Sequence, residues 1–302
     1  MSFIAGAGLT NIDLLYTGMP RIPSIGEEVY SKGFELQLGG GTPATLINLG
    51  RLGIETRIAT KLGKDIFSNF AKEKYAENRV EILNLYDGDD IPVNITSAVI
   101  LKDDRSFITY GRPSMESDSI SSELFYKMAR GSKITLMQAG SFYDTYAKLH
   151  DEGSLLILDM GWEDDMSIEK YKDYLRIADY YTPNRKEALK MTGCSDIDSA
   201  LDALSEYFDT PVIKLDKDGC IAKVNGEKIF VKSIDSFVNV DSTGAGDAFL
   251  AGFSYGVYME RPVDECLLFG NITGGKCVTG VGALTAYLTK KELLKKARKS
   301  HE

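Results

Sequence analysis

Histidine is almost missing from this sequence of 302 residues, which holds only His150 and His301. So small a supply argues against histidine acid–base catalysis and against a His-rich metal site. Cysteine is scarce too. Cys194, Cys220, Cys266 and Cys277 are scattered without a C-x-x-C spacing, which fits small apolar residues kept reduced in a cell better than zinc ligands or a disulfide set. Basic charge is in deficit: 35 Lys and Arg stand against 44 Asp and Glu, a net charge of −9, which disfavours nucleic acid or an anionic membrane as partner. No run of about 18 apolar residues occurs, and Met1-Ser-Phe-Ile lacks the basic start of a signal peptide, so a soluble, cytoplasmic protein is expected. A hydrophobic content of 43% suffices for one large α/β core with a small appendage, and no domain boundary stands out.

What the sequence does hold is concentrated in Asp241-Ser-Thr-Gly-Ala-Gly-Asp247-Ala-Phe249. An apolar-alternating run (Ile229, Val231, Ile234, then Phe237, Val238, Val240) precedes it and a helix-period segment (Phe249, Leu250, Phe253, Val257) follows, which predicts a strand-to-helix junction. Gly244, Ala245 and Gly246 lack bulk, so the backbone can close on a ligand while the first amides of the helix point outward. With the helix dipole, worth roughly half a positive charge, this makes an anion site suited to phosphate. Asp247 stands in the first turn. A carboxylate beside a phosphate is unfavourable unless it has work to do, and the obvious work is to take the proton of an attacking hydroxyl. For a lone Asp the plain alternative is an acid that merely stabilises a helix start.

The nonapeptide closely resembles the D-T-x-G-A-G-D-x-F signature of the PfkB family of carbohydrate kinases, which are ribokinase-like, and the resemblance extends through most of the chain. It implies an α/β fold, a ribokinase-like three-layer sandwich with a mostly parallel central sheet and a small β-sheet lid. The whole of 1–302 is then one kinase domain, with lid strands near 14–38 and 92–112. The same resemblance implies Asp247 as catalytic base, the backbone of Gly244, Ala245 and Gly246 as anion hole, and Thr243 and Gly246 beside ATP.

Taken in order, Phe3-Ile-Ala-Gly-Ala-Gly-Leu-Thr-Asn-Ile-Asp13 reads as a buried strand, and its Gly6-x-Gly8 lacks the third glycine of a dinucleotide fingerprint. The resemblance makes Asp13 a ligand of substrate hydroxyls, for which a carboxylate suits because both its oxygens accept hydrogen bonds; a turn residue is the alternative. Residues 28–38 and 94–110, the latter broken by a turn at 102–105, alternate as half-exposed strands and resemble the family's lid, which shuts water out. Two strands of the main sheet are the alternative. Gly39-Gly-Gly-Thr-Pro-Ala-Thr-Leu-Ile-Asn-Leu-Gly-Arg-Leu-Gly53 resembles the first glycine signature and places Gly40, Gly41 and Thr45 at the substrate, although Ala44 or Thr45 stands where the family carries Asn. Tyr110 and Arg112, beside the lid, are also expected at the substrate. Gly63-Lys-Asp65 resembles the family's G-x-D-x-F turn, its carboxylate structural or substrate-facing.

Residues 133–138, 154–159, 178–181, 211–215 and 220–224 read as strands with helices between most of them, the pattern of a mostly parallel sheet covered on both faces. In Thr182-Pro-Asn-Arg-Lys-Glu187, Asn184 and Glu187 have the spacing of a capping box. The resemblance adds an N-x-x-E pair that organises Mg²⁺ near the phosphates, making Asn184 and Glu187 the metal residues and Asn184 an ATP contact as well. Pro211-Val-Ile-Lys-Leu-Asp-Lys-Asp-Gly219 resembles the strand and loop leading to the nucleotide. Lys214, Asp216 and Gly219 are therefore expected at ATP, with Asp216 where the family has glycine. Gly270-Asn-Ile-Thr-Gly-Gly-Lys276-Cys277 nearly spells a Walker A loop, but it ends in Cys rather than Ser or Thr and lies in a helical pattern; the family's helix beside the adenine puts Asn271 at ATP.

The expectation is an ATP-dependent kinase acting on a hydroxyl of a small neutral sugar, fructokinase- or ribokinase-like. ATP and Mg²⁺ are implied; a monovalent cation such as K⁺ and a homodimer through the lid stay open. So do a nucleoside or 2-keto-3-deoxy acid-sugar kinase of the same fold, and a sugar-sensing binder that has lost catalysis. By the resemblance, the acidic run Met160-Gly-Trp-Glu-Asp-Asp165, where acid-sugar kinases of the family often have Arg, and Gly41 or Thr42, where its phosphosugar kinases often carry Lys, speak for a neutral acceptor. Arg105 and Arg112 speak against it, though such arginines are more often solvated or paired with acids such as Asp103 and Asp104.

Overall fold

Alternation in the first strand, β1 (Ile4–Ala7), divides the molecule. Ile4 packs into one apolar cluster and Phe3, Ala5 and Ala7 into a second, so the sheet containing β1 is covered on both faces. The computed structural model describes residues 2–101, 105–112, 115 and 117–300; of the turn expected at 102–105, residues 102–104 with the acids Asp103 and Asp104 lie outside them, as does His301, while Arg105 is in a strand. The other central strands are β4 (Thr56–Thr60), β5 (Val80–Asn84), β8 (Ile134–Gln138), β9 (Leu155–Asp159) and β10 (Tyr180–Tyr181). They stand in the order β10-β9-β8-β1-β4-β5 with every neighbouring pair parallel.

Helices α1 (Gly41–Arg51), α2 (Ile66–Glu77), α8 (Ala245–Tyr258), α9 (Val263–Cys277) and α10 (Lys290–Ser300) build the first cluster. On the other face lie α3 (Ser119–Ala129), α4 (Tyr143–Asp151), α5 (Ile168–Ile177), α6 (Arg185–Thr192) and α7 (Ile197–Leu204). The result is a three-layer α/β sandwich. Asp65, expected as structural or substrate-facing, caps α2: its carboxylate accepts from the amides of Phe67 and Ser68. The four cysteines are unpaired, three of them buried.

A smaller sheet leans over one end of the sandwich. Its strands are β2 (Asn11–Thr17), β3 (Gly33–Gly39), β6 (Asn94–Ile100) and β7 (Arg105–Tyr110), in the order β3-β2-β6-β7, with β2 and β6 parallel and the outer pairs antiparallel. The strand expected from residue 28 starts only at Gly33.

Two expectations need correction. Residues 211–224 do not extend the parallel sheet. With β13 (Glu227–Lys232), strands β11 (Val212–Lys214) and β12 (Gly219–Val224) form a separate antiparallel sheet, from which one isolated parallel bridge joins Lys214 to Asn184. The reason is connection length, since parallel pairing needs a crossover of a dozen or more residues. Between β12 and β13 stands Asn225-Gly226, both with positive φ, the two-residue loop of a tight hairpin. The strand before the nonapeptide also stops at Lys232, and the chain to Gly244 is irregular, with Val238 and Val240 exposed. The segment resembling a Walker A loop lies inside α9 and is no loop at all.

Candidate active site

The nonapeptide enters α8 through Gly244, whose φ is +74° and whose position leaves no room for a side chain: a β-carbon there would lie 2.3 Å from Cβ of Ala283. No side chain caps α8. Its first amides are therefore left for a ligand at the positive end of the helix, although that of Ala245 makes a long bond of 3.3 Å to the Ser242 carbonyl.

Asp247 projects from the first turn into a crowd of acids. The surrounding protein pushes its pKa up to about 8, with Asp159 the next cause, while the Lys214 ammonium works the other way. Burial likewise raises Asp159, again opposed by Lys214. These groups meet at Gly41: a β-carbon there would stand 2.8 Å from Oδ2 of Asp159 and 3.7 Å from both Oδ1 of Asp247 and Nε2 of Gln138. A side chain at that spot would have to push the Asp159 carboxylate aside. Lys214 reaches the same place from β11, its Nζ lying 3.3 Å from where a β-carbon of Gly246 would be.

Next to this cluster is a cavity of about 210 Å³ between the small sheet and the nonapeptide. Its polar end is Asn11, Asp13, Gly40 and Thr96, and its apolar end Leu15, Ala98, Ile100 and Phe107, with Arg105 and Thr243 beside the latter. Burial pushes the Asp13 carboxyl up to about 6, with the Asp241 charge a second cause. Asn11 donates to Asp13, and the Thr96 hydroxyl donates to Asn11. Arg105 donates to Oδ1 of Asp241 at 2.7 Å and to the Thr243 hydroxyl at 2.8 Å. Burial works against the Asp241 charge, yet bonds from the Gly282 and Thr243 amides, the Thr243 hydroxyl and the Arg105 charge hold its carboxyl below the usual carboxylate range.

Of the residues expected at the substrate, Asp13 and Gly40 line this cavity and Gly41 abuts Asp247. Thr45 is fully buried and its hydroxyl donates to the Asp247 carbonyl at 3.3 Å, joining α1 to α8 rather than facing the cavity. Tyr110 and Arg112 are off the cavity too. Side chains alternate along β7, so Arg105 and Phe107 face inward while Ile108 and Tyr110, 75% and 60% exposed, face away. The Arg112 main chain exchanges two hydrogen bonds with the Asn94 side chain, holding the end of β7. Thr96 and Phe107 are the lid residues that sequence reading passed over, Arg105 having been weighed only as a cation for an anionic acceptor, and counting in twos from Arg105 would have found Phe107.

On the other side of the cluster, Asn184 and Glu187 form the capping box of α6: the Glu187 carboxylate accepts from the Asn184 amide at 2.7 Å and the Asn184 side chain from the Glu187 amide at 3.0 Å. Burial raises the Glu187 pKa, again opposed by Lys214. Asp216 has a positive φ and, with Asp218, faces Arg185. Gly219 opens β12. Asn271 spends its side-chain amide on the Val231 and Lys232 carbonyls at 2.8 and 3.1 Å, clamping the end of β13.

A model of the pfkB family carbohydrate kinases matches residues 1–290. The chain belongs to this family. It is a sugar kinase. It is 26% identical over 95% of its length, and 79% of the other's, to a ribokinase of Arabidopsis thaliana. To an uncharacterized sugar kinase of Archaeoglobus fulgidus it is 36% identical over 104 residues, 34% of this chain and 41% of the other. Its fold is that of Arabidopsis thaliana ribokinase solved with ribose and ATP, with a TM-score of 0.79 at 22% identity and 99% of both chains covered. Among the described residues no helix is long and apolar enough to cross a membrane.

Proposed function

We propose that this pfkB-family kinase transfers the γ-phosphate of ATP to a hydroxyl of a small neutral sugar held under the lid. The observation that carries this reading is Asp247, a carboxyl raised to about 8 in the first turn of an uncapped helix and flanked by the lid cavity. Near neutral pH such a group holds or releases a proton with little cost, as a general base should. The hydroxyl oxygen attacks phosphorus, its proton passes to Asp247, and the bond from phosphorus to the bridging oxygen breaks with its electron pair leaving on ADP. The amides of Ala245, Gly246 and Asp247 stabilise the equatorial oxygens, and Lys214 adds a positive charge beside them. Asp13, with Asn11 and Thr96, holds neighbouring hydroxyls of the acceptor.

The cluster fits a divalent cation. Burial is the first cause that raises the carboxyls of Asp13, Asp159, Glu187 and Asp247, neighbouring acids add to it at Asp13, Glu187 and Asp247, and a cation beside them would offset both. Among the described residues no three acids, histidines or cysteines are grouped to chelate a metal. Mg²⁺ keeps several waters and takes phosphate oxygens as ligands. Bound beside Asn184 and Glu187, Mg²⁺ would neutralise phosphate charge.

A second reading has one observation of its own. Phe107 is 52% exposed at the apolar end of the cavity, a platform on which a planar substituent could stack, as in a nucleoside. An ADP-release assay over a panel of free sugars and nucleosides tests both. Turnover with free sugars supports the first reading, a preference for nucleosides the second, and ATP turnover with none of them overturns both.

A further inference from the structure

Arg105 and Asp241 are separated by 136 residues and join the lid to the nonapeptide through a guanidinium–carboxylate contact of 2.7 Å. The Asp241 side chain is 7% exposed and that of Arg105 34%. Asp241 is also the knot of the phosphate cradle. Its Oδ1 accepts from the Thr243 amide and hydroxyl, and its Oδ2 from the Gly282 amide, so one carboxylate ties the loop before α8 to the turn that Gly244 leans on. A carboxylate so enclosed is costly without a compensating positive charge, and the lid brings one.

We propose that Arg105 is a positioning residue that couples closure of the lid to the order of the phosphate cradle, so that phosphate passes to the acceptor rather than to water. The inference rests on the kinase reading above. When the lid lifts, Asp241 loses the guanidinium and gains solvent, and its hold on Thr243 and Gly282 weakens. When an acceptor fills the cavity between Asp13 and Arg105, closure restores the ion pair and the start of α8 together. Phe107, whose ring lies 5.5 Å from the guanidinium, closes the apolar side against water. A purely structural strut would hold the lid in place without deciding between sugar and water.

The test measures, for wild type, Arg105→Ala and Arg105→Lys, both ADP released and sugar phosphate formed with the best acceptor from the panel, together with acceptor KM and melting temperature. Arg105→Ala is expected to raise the ratio of hydrolysis to transfer by roughly tenfold and acceptor KM by a similar factor, with Arg105→Lys recovering part of both. An unchanged ratio in a folded Arg105→Ala enzyme that merely melts earlier overturns the proposal. If Arg105→Ala fails to fold, Arg105→Lys decides alone: it keeps the charge but loses the planar fork, and a ratio within twofold of wild type overturns the coupling. Should wild type transfer phosphate to no acceptor, the kinase reading itself falls and this inference with it.

Discussion

Gly244 rests against Ala283 so closely that a β-carbon on Gly244 would stand 2.3 Å from Cβ of Ala283. The start of α8 thus lies against the turn that follows α9, and Gly244 also has a left-handed φ of +74°. Gly244→Ala meets strain and overlap at once, with an expected loss of stability of roughly 1–3 kcal/mol. Because the displaced residues form the proposed phosphate cradle, kcat should fall far more than this loss of stability would suggest. Thermal melts and steady-state rates on the same preparation check it; a variant that melts earlier yet turns over normally would show that the cradle tolerates the shift.

Asp247→Asn separates chemistry from stability. As the proposed base, Asp247 should account for roughly 10²- to 10⁴-fold in kcat, and ATP should still bind. Stability should move the opposite way. The folded enzyme holds this proton up to about pH 8, whereas the unfolded chain releases it near 3.8. The folded state therefore binds the extra proton, and the stability it contributes is complete below pH 4 and lost as pH rises through 8. The ligand-free Asn variant should melt above wild type at pH 8 and show no gain at pH 4. In wild type, kcat/KM should climb with pH toward 8, falling roughly tenfold per unit below it. A flat profile between pH 6 and 8 would remove Asp247 as the titrating base.

Glu187→Gln keeps an oxygen to accept the Asn184 amide, so the capping box survives and only the charge is lost. If Glu187 acts through Mg²⁺, the concentration of Mg²⁺ giving half-maximal rate should rise while stability changes by about 1 kcal/mol or less. Were Glu187 only a cap, the Mg²⁺ titrations of the two proteins would superimpose.

Much of this was legible because it is local. The nonapeptide carries its glycines and its acid within nine residues, and the alternation of strands such as 133–138 and 154–159 with helices points directly to a parallel sheet covered on both faces. The failures are of two physical kinds. One is parity: Tyr110 was chosen for the substrate, but an inward Arg105 puts every even-numbered residue of β7 outward, so a step of one reverses the answer. The hairpin at Asn225-Gly226 was likewise open to reading, and would have removed β12 and β13 from the parallel sheet. The other kind is distance. Nothing near Arg105 in the sequence announces Asp241, and nothing near Gly41 announces Asp159 and Asp247, because those contacts exist only once the sheet order is set.

The charge of the acceptor follows from where the cavity's cation is already spent. Of the two arginines that spoke for an anionic substrate, Arg112 lies off the cavity, and Arg105 lines it while bound to Asp241 and Thr243. An acceptor carrying phosphate or carboxylate would have to compete for Arg105 with a carboxylate whose side chain is 7% exposed, or lie unpaired beside Asp13. Neither is favourable. A neutral acceptor instead meets Asn11, Asp13 and Thr96, which accept and donate as hydroxyls require. A neutral sugar should therefore exceed its 6-phosphate and a 2-keto-3-deoxy acid in kcat/KM by roughly 10²-fold or more, the scale expected when a buried charge lacks a partner. Measuring the three side by side checks this. A clear preference for either anion would mean that Arg105 exchanges Asp241 for substrate, and Arg105→Ala would then cost the anion far more than the neutral sugar.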